Sequence, residues 1–361
     1  MYRYEEHGGF MTIKGDKHRF VYADLLRCIA AFMVVLIHTT CNVYNSFSSK
    51  WNVYLCVNSL TTFAVPCFFL ISGAFLIGKA ESIDVFLKKR IVKIILVLIF
   101  WSLIYIIFKA LYLKENISMI KSIISIAIEP QYFHLWFMYS IASLYFITPV
   151  IRIIYKHSDK ISKIYTLLFF LLIPTCIITV EVLVSTWMPI SRVFWYFPEL
   201  GYFLLGAMII SKPSSYYKSI RTWLVPLIFI SYILVVISSD YISLRAGVPK
   251  KDFINYDKLF VLSFSVSIFC MMYSFEEALQ KLSHRMKSIL VSISKVSMGI
   301  YLIHPLVMGI VGNVTLIGLR FTSNDGTIWN MILGAVLYFT LSYFICLVIS
   351  KIPVLRRAVA S

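Results

Sequence analysis

Charged residues make up only 14% of this 361-residue sequence, against about 25% in soluble proteins. Acids are scarcer still, with 17 Asp and Glu against 34 Lys and Arg. A chain this poor in charge does not fold as an ordinary soluble globule. The seven cysteines include no CxxC pair, and most fall inside apolar runs. That pattern excludes a disulfide framework and leaves no metal site to expect. Internal repeats, low-complexity tracts and linkers long enough to separate domains are missing as well. No cleavable signal peptide is expected, because residues 1–19 are polar and the next apolar run is long enough to stay as a helix.

What the sequence has in excess is apolar length. Hydrophobic residues make up 60% of the chain, and the mean hydropathy is +0.83. A spanning helix needs about 20 such residues. Ten apolar stretches fall at about 20–41, 53–78, 89–113, 132–155, 162–185, 193–211, 220–241, 257–275, 296–317 and 327–351. The predicted fold class is therefore an all-α polytopic membrane protein, one bundle of about ten transmembrane helices. A net charge of +17 would suit nucleic acid in a soluble chain. In one this apolar, basic residues mark loops held beside anionic lipid, and no nucleic-acid partner is expected. The N-terminal tail, the loops after even-numbered stretches and the C-terminal end carry 22 Lys and Arg, and the other loops carry nine. Both termini are thus expected in the cytoplasm; only Arg245, Lys250, Lys251 and Lys258 run against the trend. The segment around 114–131, with Lys114, Glu115, Lys121 and Glu129, reads as an extracytoplasmic amphipathic piece.

Chemistry is expected where polarity is expensive. A charged residue inside a span costs about 2.5–3.5 kcal/mol on insertion scales and marks a functional position by default. The first stretch carries Asp24-Leu25-Leu26-Arg27 and, eleven residues after the arginine, His38. Eleven helical steps return to within about 20° of the start and rise about 16 Å. Arg27 and His38 therefore project from one helix face, the arginine nearer the cytosol. The plainer alternative is an Arg27 that snorkels or pairs with Asp24, and a His38 merely hydrogen-bonded at the interface.

These residues carry a resemblance. Arg27 and His38 resemble the R-x10-H signature of the acyltransferase 3 family of bacterial membrane acyltransferases. Phe68-Phe69-Leu70-Ile71-Ser72-Gly73 is similar to its FF-x-x-SG segment, and Phe86 to Lys93 to the basic start of its third span. His134-Leu135-Trp136-Phe137 with Tyr145 and Pro149, and Ser297-Met298-Gly299-Ile300-Tyr301-Leu302-Ile303-His304, resemble two further family segments. The five stretches occur in order and cover nearly the whole chain. One departure is Arg90-x-x-Lys93 where the family commonly has Arg-x-x-Arg followed by proline; lysine lacks the planar fork that grips phosphate. The chain stops at Ser361 without the SGNH-type domain of many relatives, so the resemblance points to stand-alone members. The implied division is a cytoplasmic tail at 1–19, an acyltransferase 3 transmembrane domain at 20–353 and a cytoplasmic tail at 354–361.

The resemblance implies an acyl-CoA donor, acetyl-CoA above all, and a hydroxyl acceptor on an envelope or surface glycan, in the bacterial cytoplasmic membrane. No permanently bound cofactor is implied. Arg27, Arg90 and Lys93 would bind the donor, with Lys88 and Lys89 read as ordinary loop anchors. His38 would be the general base, since a neutral imidazole can take the acceptor's proton. Glu199, or Glu181, would orient it. His134, Trp136, Tyr301 and His304 are candidates for the acceptor or its pathway, each with a plainer reading as interface or core. Ser72-Gly73 reads as a close-packing element. The alternative function is a transport domain like the membrane part of vancomycin-resistance serine racemases, associated with serine uptake.

Overall fold

The computed structural model describes residues 5–7, 10–12, 19–40, 47, 50–184, 191, 197–312, 315–316, 319–320 and 328–359. Arg3, Lys14, Lys17 and Arg192, counted in the charge asymmetry, lie outside the described residues. Two short antiparallel strand pairs, Glu5–His7 with Phe10–Thr12 and Thr315–Leu316 with Leu319–Arg320, accompany an otherwise helical chain. Its long helices are α1 (Val21–Thr40), α2 (Trp51–Thr61), α3 (Ala64–Leu76), α4 (Ile83–Tyr112), α5 (Phe133–His157), α6 (Lys160–Val184), α7 (Phe197–Ile210), α8 (Arg221–Ala246), α9 (Asp252–Ser274), α10 (His284–Lys295), α11 (Ser297–Val311) and α12 (Ile328–Lys351). In hydrocarbon every backbone amide must bond within its own segment, so apolar runs of this length can only be helical.

Among the described residues, eight segments are long and apolar enough to cross a membrane, α2 and α3 counting as one. The protein is a polytopic all-α membrane protein. Two of the ten expected spans differ from a plain rod. The sixth, α7, has 14 described residues, about 21 Å of helix. The ninth is α11 preceded by α10, with a bend of 61° between them. Hydropathy registers that α11 is apolar; it carries no information on the direction of its axis. Elsewhere local signals end the helices as expected. Ser283 caps α10 by accepting from the Met286 amide, and Gly247, at φ 69°, closes α8 in the left-handed conformation.

The hub is α1, which packs on α2, α3, α9, α10, α11 and α12. Its small side chains permit this, with Ala30, Ala31 and Val35 fully buried. Two acids pin its start. Glu276 accepts from the amides of Val21 and Tyr22 at 3.2 and 2.8 Å, satisfying donors that a helix N-terminus leaves open. Asp24 is held by Arg19 and by the Ser294 hydroxyl at 2.6 Å. Lipid-facing positions such as Leu96, Ile237 and Val348 are exposed.

Helices α3 and α7 approach each other backbone to backbone. A Cβ on Gly73 would stand 1.7 Å from the Phe203 carbonyl oxygen, and one on Gly206 would stand 2.0 Å from that of Leu70. Ser72-Gly73 is thus part of a backbone-to-backbone contact, as its small residues suggest. The expected tail at 354–361 is instead partly folded in. Arg356–Val359 forms a helical turn whose Ala358 carbonyl accepts from Trp101 Nε1 at 2.9 Å. Val359 is fully buried in the notch left by Gly299. Two apolar residues at 358 and 359 and a missing side chain at 299 are the reason.

The glycine contact sets a measurable contrast. Gly73→Ala pushes a methyl group into a backbone carbonyl, whereas a Cβ at Gly309 meets the tip of the Phe108 ring at 2.8 Å. Thermal melting in detergent is expected to show Gly73→Ala losing about 1–3 kcal/mol or more, the usual range for overpacking. Gly309→Ala is expected to lose clearly less. Equal melting temperatures for the two variants would refute the close approach.

Candidate functional site

A cavity of about 550 Å³ opens at the end of the bundle that carries Arg19 and Lys295. Its walls come from α1, α3, α4, α5 and α11, together with Ser294 and Lys295 at the end of α10. Four cations face it, Arg19, Arg27, Arg90 and Lys295, against the one carboxylate of Asp24. Arg27 lies 3.5 Å from Asp24 and 5.6 Å from the centre of the Phe75 ring. The pairing with Asp24 is thus real, and it coexists with exposure of Arg27 to the cavity. The Nε of Arg90 is buried with no hydrogen-bond partner. An excess of positive charge with an unmet donor suits a multiply charged anion such as a phosphate.

Lys93 is half-buried and lies outside this lining. Equal helical steps put Arg90 and Lys93 on one face, but Leu87–Ile91 forms a π-helical turn. Its wider turn offsets the faces of the two residues. Lys88 and Lys89 are exposed outside the cavity.

Phe137, Ile141 and Tyr301 line the same cavity. Phe137 and Tyr301 meet edge to face at 5.3 Å between ring centres. Beyond Tyr301 lie three histidines. The rings of His38 and His304 stack at 5.2 Å and 24°. His134 meets His304 edge-on at 5.6 Å and Tyr301 at 5.6 Å. His134 Nε2 donates to the Leu302 carbonyl at 3.2 Å, and the Tyr301 hydroxyl donates to the His134 carbonyl. His134 and His304 are almost fully buried. Phe133 packs on His38 at 4.9 Å. Arg27 thus lines the cavity, while His38, eleven residues later on α1, packs against His304 and Phe133.

Glu199 is placed otherwise than expected. Its Oε1 accepts from Ser140 at 2.9 Å and from Tyr256 at 2.8 Å, so the carboxylate is tied to that pair and not to a histidine ring. Trp136 stacks on Tyr256 at 5.4 Å and 8°, on this same side. Sequence reading offered Asp24 as a partner of Arg27 but missed Ser294, Lys295 and Phe133. Only Lys295, standing directly before an apolar run, gave a signal.

Among the described residues no group of three or more His, Cys, Asp or Glu is arranged to hold a metal ion. A family model described as an acyltransferase domain matches residues 20–351. No curated protein and no solved structure shows significant similarity to the chain.

The Asp24 cluster can be tested by a double-mutant cycle. Asp24→Asn removes the one countercharge among these cations, and loss of one partner of a buried pair is strongly destabilising. Arg27→Gln removes the other member. Their melting shifts in detergent are expected to be non-additive by about 0.5–3 kcal/mol, the range for residues in contact. Simple additivity would mean that the pair is not energetically coupled.

Proposed function

Since the chain belongs to the acyltransferase 3 family, we propose that it moves an acetyl or other short acyl group from acyl-CoA to a hydroxyl of an envelope glycan. What supports this reading is a cationic cavity around Arg27 towards one end of α1 and a cluster of His38, His134 and His304 towards the other, with Tyr301 lining the cavity and in contact with His134 and His304. By the positive-inside rule the cationic end faces the cytosol, in the cytoplasmic membrane of a bacterium. Acyl-CoA enters there, and its phosphates meet Arg90, Arg27 and Lys295.

The acyl thioester reaches past Tyr301 to His38. An acceptor hydroxyl on the opposite face attacks the thioester carbonyl while His38 takes its proton. The new ester C–O bond forms, the C–S bond breaks, and the CoA thiolate leaves towards the cytosol and is protonated. Without such a base a hydroxyl is a poor nucleophile. Glu199 keeps Tyr256 and Ser140 in place beside Trp136, a supporting role rather than that of a dyad partner.

Two measurements check this. Arg90→Ala is expected to weaken acetyl-CoA binding in detergent far more than Lys88→Ala, because only Arg90 lines the cavity; equal effects would remove the donor assignment. His38→Ala and His38→Gln are expected to lower acyl transfer by roughly 10²–10⁴-fold with acetyl-CoA affinity unchanged. Mass spectrometry of envelope glycans from cells carrying each variant reads the transfer. Acylation at the wild-type level in either histidine variant would make His38 structural.

A further inference from the structure

Two buried ring nitrogens near His38, Nδ1 of His134 and Nε2 of His304, have no hydrogen-bond partner among the described residues. The case of His304 follows from the sequence. In an α-helix the amide of residue 305 bonds to the carbonyl of residue 301. Pro305 has no amide proton, so the Tyr301 carbonyl is left open inside α11. His304 Nδ1 lies 2.7 Å from that oxygen and 3.3 Å from the Ile300 carbonyl. A carbonyl only accepts, so the proton of the neutral ring is on Nδ1 and Nε2 is a bare acceptor. The ring is fully buried, yet it stacks on His38. A buried acceptor of this kind calls for a donor.

The ring is also held from outside its own helix. His134 donates to Leu302, and the Tyr301 hydroxyl donates to the His134 carbonyl. Tyr105 donates to the Leu302 carbonyl at 2.7 Å. These bonds fix the turn that carries His304 against α4 and α5.

We infer that His304 Nε2 accepts a hydrogen bond from a second hydroxyl of the acyl acceptor, next to the hydroxyl whose proton goes to His38. The acceptor class is then a polyhydroxyl compound, a sugar or related polyol, gripped through neighbouring hydroxyls. His304 takes up no proton in the reaction; it orients the acceptor. This rests on the reading of His38 as base, but the tautomer it requires is encoded by Pro305 independently of that reading.

The test uses the full chain, labelled with nitrogen-labelled histidine, in detergent micelles. Loss of one ring's signals in His304→Gln assigns them. Nuclear magnetic resonance is expected to show His304 protonated on Nδ1 and bare on Nε2. In Pro305→Ala the restored amide competes for the Tyr301 carbonyl, and a mixture of tautomers is expected. Glycerol, added as a polyol probe, should shift the Nε2 signal, and its fully O-methylated ether should not. A protonated Nε2, no response, or the same response to both probes would overturn the inference and leave the position to ordered water.

In cells, His304→Gln keeps an accepting oxygen and should retain some of the glycan acylation. His304→Phe should lower it by about tenfold or more, the loss of one well-made hydrogen bond. Acetyl-CoA affinity should be unchanged in both. Wild-type acylation in the Phe variant also overturns the inference. Failure of wild-type cells to acylate any glycan would instead remove the proposed function, while the tautomer result would stand on its own.

Discussion

A carboxylate with two oxygens, Asp24, holds the basic end of the bundle in order. It is almost fully buried, and it meets Arg19, Arg27 and Ser294. In a segment surrounded by hydrocarbon and helices a lone charge of either sign would be prohibitive. The acid lets α1 carry an arginine into the interior, and the two side chains lie 3.5 Å apart. With Glu276 on the first amides, the pair fixes how far α1 is inserted among its six neighbours. The depth of every later residue on α1 follows from that anchoring, down to His38 at the far end.

The two halves of the site are joined by one residue. Tyr301 lines the cavity with its ring and donates its hydroxyl to the His134 carbonyl. Its own carbonyl receives the proton of His304. One side chain and one peptide unit therefore separate the cationic chamber from the imidazoles. Phe137 of α5, edge to face with the Tyr301 ring, completes the partition.

The apolar runs made the spans legible, because length and hydropathy are summed along the chain. That Arg27 and His38 belong to one helix was legible for the same reason, since both fall within a single apolar run. What stayed hidden depends on how helices meet. The approach of His134 and His304 to His38 involves three helices distant in sequence, and no periodicity reports it. The departure of Lys93 from the face of Arg90 comes from a single π-helical turn, which the spacing of charges does not encode. Glu199 was expected to orient His38, because Ser140 and Tyr256, its hydrogen-bond donors, are 59 and 57 residues away and no local pattern reports them.

The glycine contact between α3 and α7 divides the cavity into unequal walls. Phe68, Ile71, Ser72 and Phe75 of α3 stand on a surface that is backed by another backbone with no side chain between them. Such a wall has no slack: it neither slides nor tilts without breaking van der Waals contact along its length. The opposite wall, from Ser294 to Tyr301, straddles the 61° elbow between α10 and α11. Mechanically the α3 wall is an anvil and the α10–α11 elbow a lever, so between these two walls the lever is the one that can yield.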